Sequence, residues 1–72
     1  MKNALLCMAI LLSFVTNGQK ADAIVYYNKG LDKSFLKDQY GAIADFTKAI
    51  ELDPSFANAY FTRAREKFRL KD

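Results

Sequence analysis

Side chains that carry enzyme chemistry are scarce in this sequence. It has no His, and Cys7 is its one Cys. Without His the usual proton shuttle near neutral pH is missing. A single Cys permits neither an intramolecular disulfide nor a Cys/His zinc site. Asp32, Asp38, Asp45, Glu51, Asp53 and Glu66 are scattered, so each is expected as a solubilising helix charge or a helix-terminal residue, not half of an acid–base pair. Gly30 and Gly41 are isolated and make no phosphate-cradling loop. No catalysis, cofactor or metal is expected. Recognition chemistry is better represented, by Asn28, several aromatic residues and the series Arg63, Arg65, Lys67, Arg69 and Lys71. At nearly every second residue of a helix, such charges spread around the cylinder and build no single stripe. A solvated basic helix is expected, with attraction to an acidic partner or an anionic membrane surface as the alternative. The net charge is +3, and one of those charges is Lys2. Residues 19–72 keep ten Lys/Arg against eight Asp/Glu, too mild an excess to indicate nucleic acid.

These groups need elements to hold them, and the periodicity supplies helices. In residues 42–54, Ala42, Ile43, Phe46, Ala49 and Ile50 follow the spacing of one buried stripe. Asp45, Lys48 and Glu51 lie off it and are expected in solvent. Pro54 disfavours helix at Asp53 and cannot extend the hydrogen-bond ladder, so the helix should stop there. Ser55 is then placed to cap the next one. Helices are expected at about 21–36, 40–52 and 56–70, with a separate apolar helix at about 4–16. No segment alternates as a strand would, so the fold class is all-α. Gly30, Ala42 and Ala49 leave room for close helix approach, and Tyr26, Phe46 and Tyr60 fill the wider gaps around them.

The chain also resembles itself. Displaced by 34 residues, 26–38 (YYNKGLDKSFLKD) falls on 60–72 (YFTRAREKFRLKD). Tyr26 meets Tyr60, Tyr27 meets Phe61, Lys29 meets Arg63, and small Gly30 meets small Ala64. Asp32 meets Glu66, Lys33 meets Lys67, and Leu36-Lys37-Asp38 recurs as Leu70-Lys71-Asp72. This period, with Tyr26, Gly30, Ala42, Phe46, Ala49 and Pro54 in frame, resembles the tetratricopeptide repeat family of helix–turn–helix units. The likeness covers about residues 21–72. One departure lies in the inter-helix turn, where Gln39 takes the place of the family's Tyr and Tyr40 comes one residue late. The second unit begins near Ala57 and contributes one helix, making about one and a half repeats and three helices. Such units normally need about three in a stack to cover their apolar faces. Phe68 and Leu70 are therefore expected to want a second helix. An incomplete domain, or self-association through the open face of the last helix, would follow.

Ahead of the repeat lies an export-like segment. Met1–Asn3 carry one positive charge, Ala4–Val15 form an apolar run, and Thr16–Lys20 are polar. Twelve residues span ~18 Å as a helix, short of the ~30 Å bilayer core, and the layout matches a secretory signal peptide. Residues 1–18 are read as that peptide and 19–72 as the helical domain. Cleavage is expected after Gly18, with Ala21-Asp22-Ala23 ranked lower because a cut there would clip the first helix. An uncleaved membrane anchor is the alternative. Cys7 stands near the start of the run, not at the far end where lipid attachment would need it, and is read as a small apolar residue of the segment.

The resemblance implies a scaffold whose first helices line a groove for a peptide or partner helix, and the signal-like segment implies its export to a periplasmic or extracellular location. The resemblance places Tyr27, Asn28, Leu31 and Phe35 of the first helix on that groove, with Asn58, Phe61, Thr62, Arg65 and Arg69 of the third. Asn28 matches an Asn that often bonds a ligand's backbone or carboxylate, with a solvated helix residue as its competing reading, and Tyr27 and Leu31 are read equally as packing residues of a three-helix core. The family's carboxylate clamp is not expected, because Tyr27, Leu31, Asn58 and Thr62 stand where Lys and Arg would be needed. The competing reading is a structural spacer or fragment of a larger protein with no binding of its own.

Overall fold

The computed structural model describes residues 15–71. Most of the segment read as a signal helix, with Cys7, lies outside them. The described residues form three helices, α1 (Asn17–Phe35), α2 (Gln39–Leu52) and α3 (Ala57–Lys71), and no strand. The all-α expectation holds. No helix among them is long and apolar enough to cross a membrane.

The first helix starts four residues ahead of its expected position. Thr16 is extended and forms a capping box: Gln19 N donates to Thr16 Oγ1 at 3.0 Å, and Thr16 N donates to Gln19 Oε1 at 2.9 Å. Two orphan amides of the first turn are thereby satisfied. The helix ends in a tight reversal, with Asp38 N donating to Lys33 O and Lys37 N to Ser34 O. Lys37 sits there at φ 66°, the left-handed site usually given to Gly. Asp38 then caps α2, its Oδ1 accepting from Gly41 N at 3.0 Å. A Cβ at Gly41 would stand 2.8 Å from Asp38 Cγ, so this glycine makes room for the cap. Tyr40 points outward and is exposed, so it leaves the turn unfilled.

The second helix lies against both its neighbours. Ala23, Ala49 and Ala59, one from each helix, form the buried centre, with Tyr26, Tyr27, Ile50, Leu52 and Phe56 around it. Phe46 is fully buried and faces Gly30, where an added Cβ would meet Phe46 Cε1 at 2.5 Å. The Tyr27 ring lies 5.6 Å from that of Phe46 and 4.9 Å from that of Phe56. The small-against-aromatic reading of Gly30 thus holds, as does the buried stripe of α2. Tyr60, expected as a gap filler, is partly exposed, and its hydroxyl donates to Pro54 O.

Two expectations for α2 and its exit are corrected. Asp45 is buried, not solvated, because Lys33 Nζ reaches across from α1 to its Oδ2 at 2.9 Å. The Asp45 carboxylate, by hydrogen bond and charge, holds the Lys33 ammonium above its ordinary value, with Asp38 adding to the effect. Leu52 ends the helix and Asp53 is extended, as Pro54 requires. Ser55, however, does not cap α3. Its backbone N–H and hydroxyl both donate to Asp53 Oδ1, and the α3 ladder starts from Phe56 O.

Candidate functional site, the seam between α1 and α3

The face shared by α1 and α3 is pinned by an inter-helix contact. Ser34 Oγ of α1 donates to Glu66 Oε1 of α3. Glu66 is fully buried, and its Oε2 has no hydrogen-bond partner. Arg69 Nη1 stands 3.4 Å from Oε1 and Arg65 Nη2 stands 3.9 Å from it, both guanidiniums about half exposed. The expectation of Glu66 as a solubilising charge is therefore corrected. It is a buried anion between two helices, with its cations at the surface.

Around this pin the expected groove residues divide. Leu31, half-buried, and Phe35, 87% exposed, border the seam on α1, while Arg65 and Arg69 border it on α3. Asn28, past the middle of α1, and Asn58, in the first turn of α3, are both exposed. Thr62 leaves the candidate surface. It is buried, and its hydroxyl donates to Asn58 O at 2.9 Å and Ala59 O at 3.2 Å. Tyr27 also turns inward, to the two rings described above. Phe61 is 69% exposed, about a quarter-turn or more from the buried Ala59–Thr62–Glu66 face.

Three residues of this site escaped the sequence reading. Ile24 is exposed and continues the α1 stripe through Asn28, Leu31 and Phe35 at helical spacing. Ser34 and Glu66 make the pin. For Glu66 a signal existed: it follows Ala59 and Thr62 at i, i+3, i+7, which puts it on a buried stripe. Chemically, the seam offers an aromatic ring, two aliphatic side chains, two carboxamides and two guanidiniums. That set can hold an extended chain by apolar contact and by hydrogen bonds to carbonyls or carboxylates.

Elsewhere the 34-residue displacement carries local geometry with it. Lys29 Nζ lies 5.1 Å from the Tyr26 ring centroid, and the Arg63 guanidinium lies 5.7 Å from that of Tyr60. Burial is not copied but complementary. The first helix buries Ala23 and Gly30, while their counterparts Ala57 and Ala64 are exposed. The third buries Ala59, Thr62 and Glu66, while their counterparts Val25, Asn28 and Asp32 are exposed. Comparison with protein-family models, with curated proteins and with solved structures finds no match to this chain.

Proposed function

We propose that this chain is an exported protein-interaction module of tetratricopeptide type, which holds an extended peptide or partner helix along the α1–α3 seam. The observation that carries the reading is the complementary burial of α1 and α3. A helix that repeats along a stack has one face for the helix that follows it and another for the helix before it. The first helix uses the former face, against α2, and the third uses the latter, against the same α2. The side chains left between those faces are Leu31, Phe35, Arg65 and Arg69, with Asn28 where the outer face of α1 meets them. The signal-peptide reading of residues 1–18 supports export, and intact-mass measurement of the chain recovered outside the cytoplasm tests it. A product starting at Gln19 is expected, and unprocessed chain held in the membrane fraction would replace export with anchoring.

Binding is tested by selecting peptides from a random library on the full chain and mapping the winners by amide shifts. Shifts at Asn28, Leu31, Phe35, Arg65 and Arg69, lost in Phe35→Ala and in Arg69→Ala, are expected. A chain that selects no peptide would leave the spacer reading in place.

A further inference from the structure

The reversal between α1 and α2 leaves three large apolar side chains in water. Phe35 is 87% exposed, Tyr40 76% and Leu36 74%, more than any other large apolar residue among the described ones. The backbone holds the turn without them. Lys37 turns the chain at φ 66°, its N–H and that of Asp38 close the end of α1 on Ser34 O and Lys33 O, and Asp38 caps α2. Exposure this high also means that the three side chains hardly touch one another. They are separate projections from a convex reversal. A protein partner would need a fitted pocket for each, whereas a fluid bilayer receives separate projections without one.

The charges at this edge favour an anionic bilayer. Ala23 of α1 shares the buried centre with Ala59 of α3, and Ser34 meets Glu66 further along both helices. The two helices therefore run in the same sense, and the last turn of α3 ends on the same edge as the reversal. At the surface of this edge stand Lys33, Lys37, Arg69 and Lys71, against Asp32 and Asp38. Asp45 and Glu66 are buried beneath Lys33 and Arg69. Lys37 and Lys71 make no ion pair among the described residues, and the Asp38 carboxylate is engaged by Gly41 N. Leu36-Lys37 recurs here as Leu70-Lys71, so the repeat sets an apolar and a cationic side chain twice along one edge.

We infer that this edge is a membrane-surface contact, in which Phe35, Leu36 and Tyr40 enter the headgroup region of an anionic bilayer and Lys37 and Lys71 reach its phosphates. A Tyr ring suits that depth, with its hydroxyl left wet, and a Lys can lay its stem along apolar surface while its ammonium stays among the headgroups. The inference is independent of whether the seam binds a peptide.

The probe is a bicelle carrying a doxyl-labelled lipid, made of phosphatidylcholine alone or of phosphatidylcholine and phosphatidylglycerol at three to one, added to isotope-labelled full chain. The apolar run Ala4–Val15 can itself hold the chain to lipid, so the readout is local: line broadening of the amides at 35–41, about 28 Å along the 19-residue α1 from its first turn. Broadening there is expected, roughly five-fold stronger with phosphatidylglycerol. Leu36→Ser/Tyr40→Ser, at two exposed positions, should abolish it while leaving the circular dichroism melt unchanged. Lys37→Asn tolerates the left-handed backbone and should remove most of the added effect of phosphatidylglycerol. Broadening confined to residues 15–20, or none in either bicelle, would overturn the inference. So would broadening at 35–41 that is equal in the two lipids or survives the double substitution.

Discussion

Gly30→Ala is the substitution that most directly probes the helix hairpin. In isolation the change favours folding, since Ala is better than Gly inside a helix by about 0.8–1.0 kcal/mol. Here the new methyl would lie 2.5 Å from Phe46 Cε1, 2.7 Å from Cδ1 and 3.0 Å from Cζ. The ring has little room to retreat, because Phe46 is fully buried with Tyr27 packed beside it. Overpacking of this kind costs about 1–3 kcal/mol. The net expectation is a loss of about 1 kcal/mol, up to about 2, or roughly 4–8 °C in Tm per kcal/mol for a domain near this size. Urea and thermal melts of the full chain followed by circular dichroism measure it. Phe46→Leu placed in the same chain should relieve the clash, giving a favourable coupling above the roughly 0.3–0.5 kcal/mol scatter of independent sites. The equivalent position supplies a contrast. Ala64→Gly, on an exposed face, should lose only the helix preference of about 1 kcal/mol. A more stable Gly30→Ala chain, or a Gly30→Ala/Phe46→Leu pair that merely adds, would refute the close-approach argument.

Four further outcomes follow from the geometry. Lys37→Gly places glycine at φ 66° and should raise the urea midpoint by about 0.5–1 kcal/mol equivalent, after the extra entropy of the unfolded chain is subtracted. Thr16→Ala removes the capping box and should cost about 1 kcal/mol, with faster hydrogen exchange of the amides at 17–20. Glu66→Met should leave stability equal or raise it by about 1–2 kcal/mol, since a buried carboxylate oxygen without a partner is costly and its half-exposed arginines repay little; a clear drop in urea midpoint would refute this. The Lys33 ammonium is held above the ordinary 10.5 by Asp45. Its stabilising contribution should therefore be whole below about pH 10.5 and fade as pH rises through the raised value. The difference between wild type and Lys33→Met in alkaline melts isolates it from tyrosine ionisation.

Much of the hairpin was legible in the sequence, for local reasons. Pro54 stops α2 by its own covalent structure, and the apolar spacing of Ala42, Phe46 and Ala49 sets the buried face without help from afar. Gly30 could be placed against an aromatic because a helix interior seldom keeps glycine unless something comes close. What escaped the reading depends on distant partners. Asp45 looks like a solvated acid until Lys33 is brought to 2.9 Å from another helix, and Glu66 looks like another until Ser34, 32 residues away, donates to its Oε1. The early start of α1 is hidden because Thr16–Lys20 read as the polar tail of an export segment, although Thr16-x-x-Gln19 spells a capping box. That start also bears on processing. The cut after Gly18 falls inside α1, so it would clip the first helix as a cut after Ala23 would. Cleavage at either would leave the mature helix without its cap.

The two ends of the three-helix array differ in what they show to water. On α1, the outer positions Val25, Asn28 and Asp32 include one apolar residue, and all three are exposed. On α3, the outer positions Ala57, Phe61, Ala64 and Phe68 are all apolar. Repeat arrays terminate in faces that water tolerates and continue through faces that it does not. By that rule the exposed face of α3 tolerates water less well than the exposed face of α1. Two copies cannot satisfy both ends at once by stacking head to tail, since burying Phe61 and Phe68 on the α1 side would also bury Asp32 and Asn28 without designed partners. The chain alone should therefore gain little from stacking on its own kind. The same asymmetry explains why the basic residues of α3 matter by position and not by number. Arg63 is turned toward Thr47 of α2 and Arg65 and Arg69 flank Glu66, whereas Lys67 and Lys71 make no ion pair among the described residues.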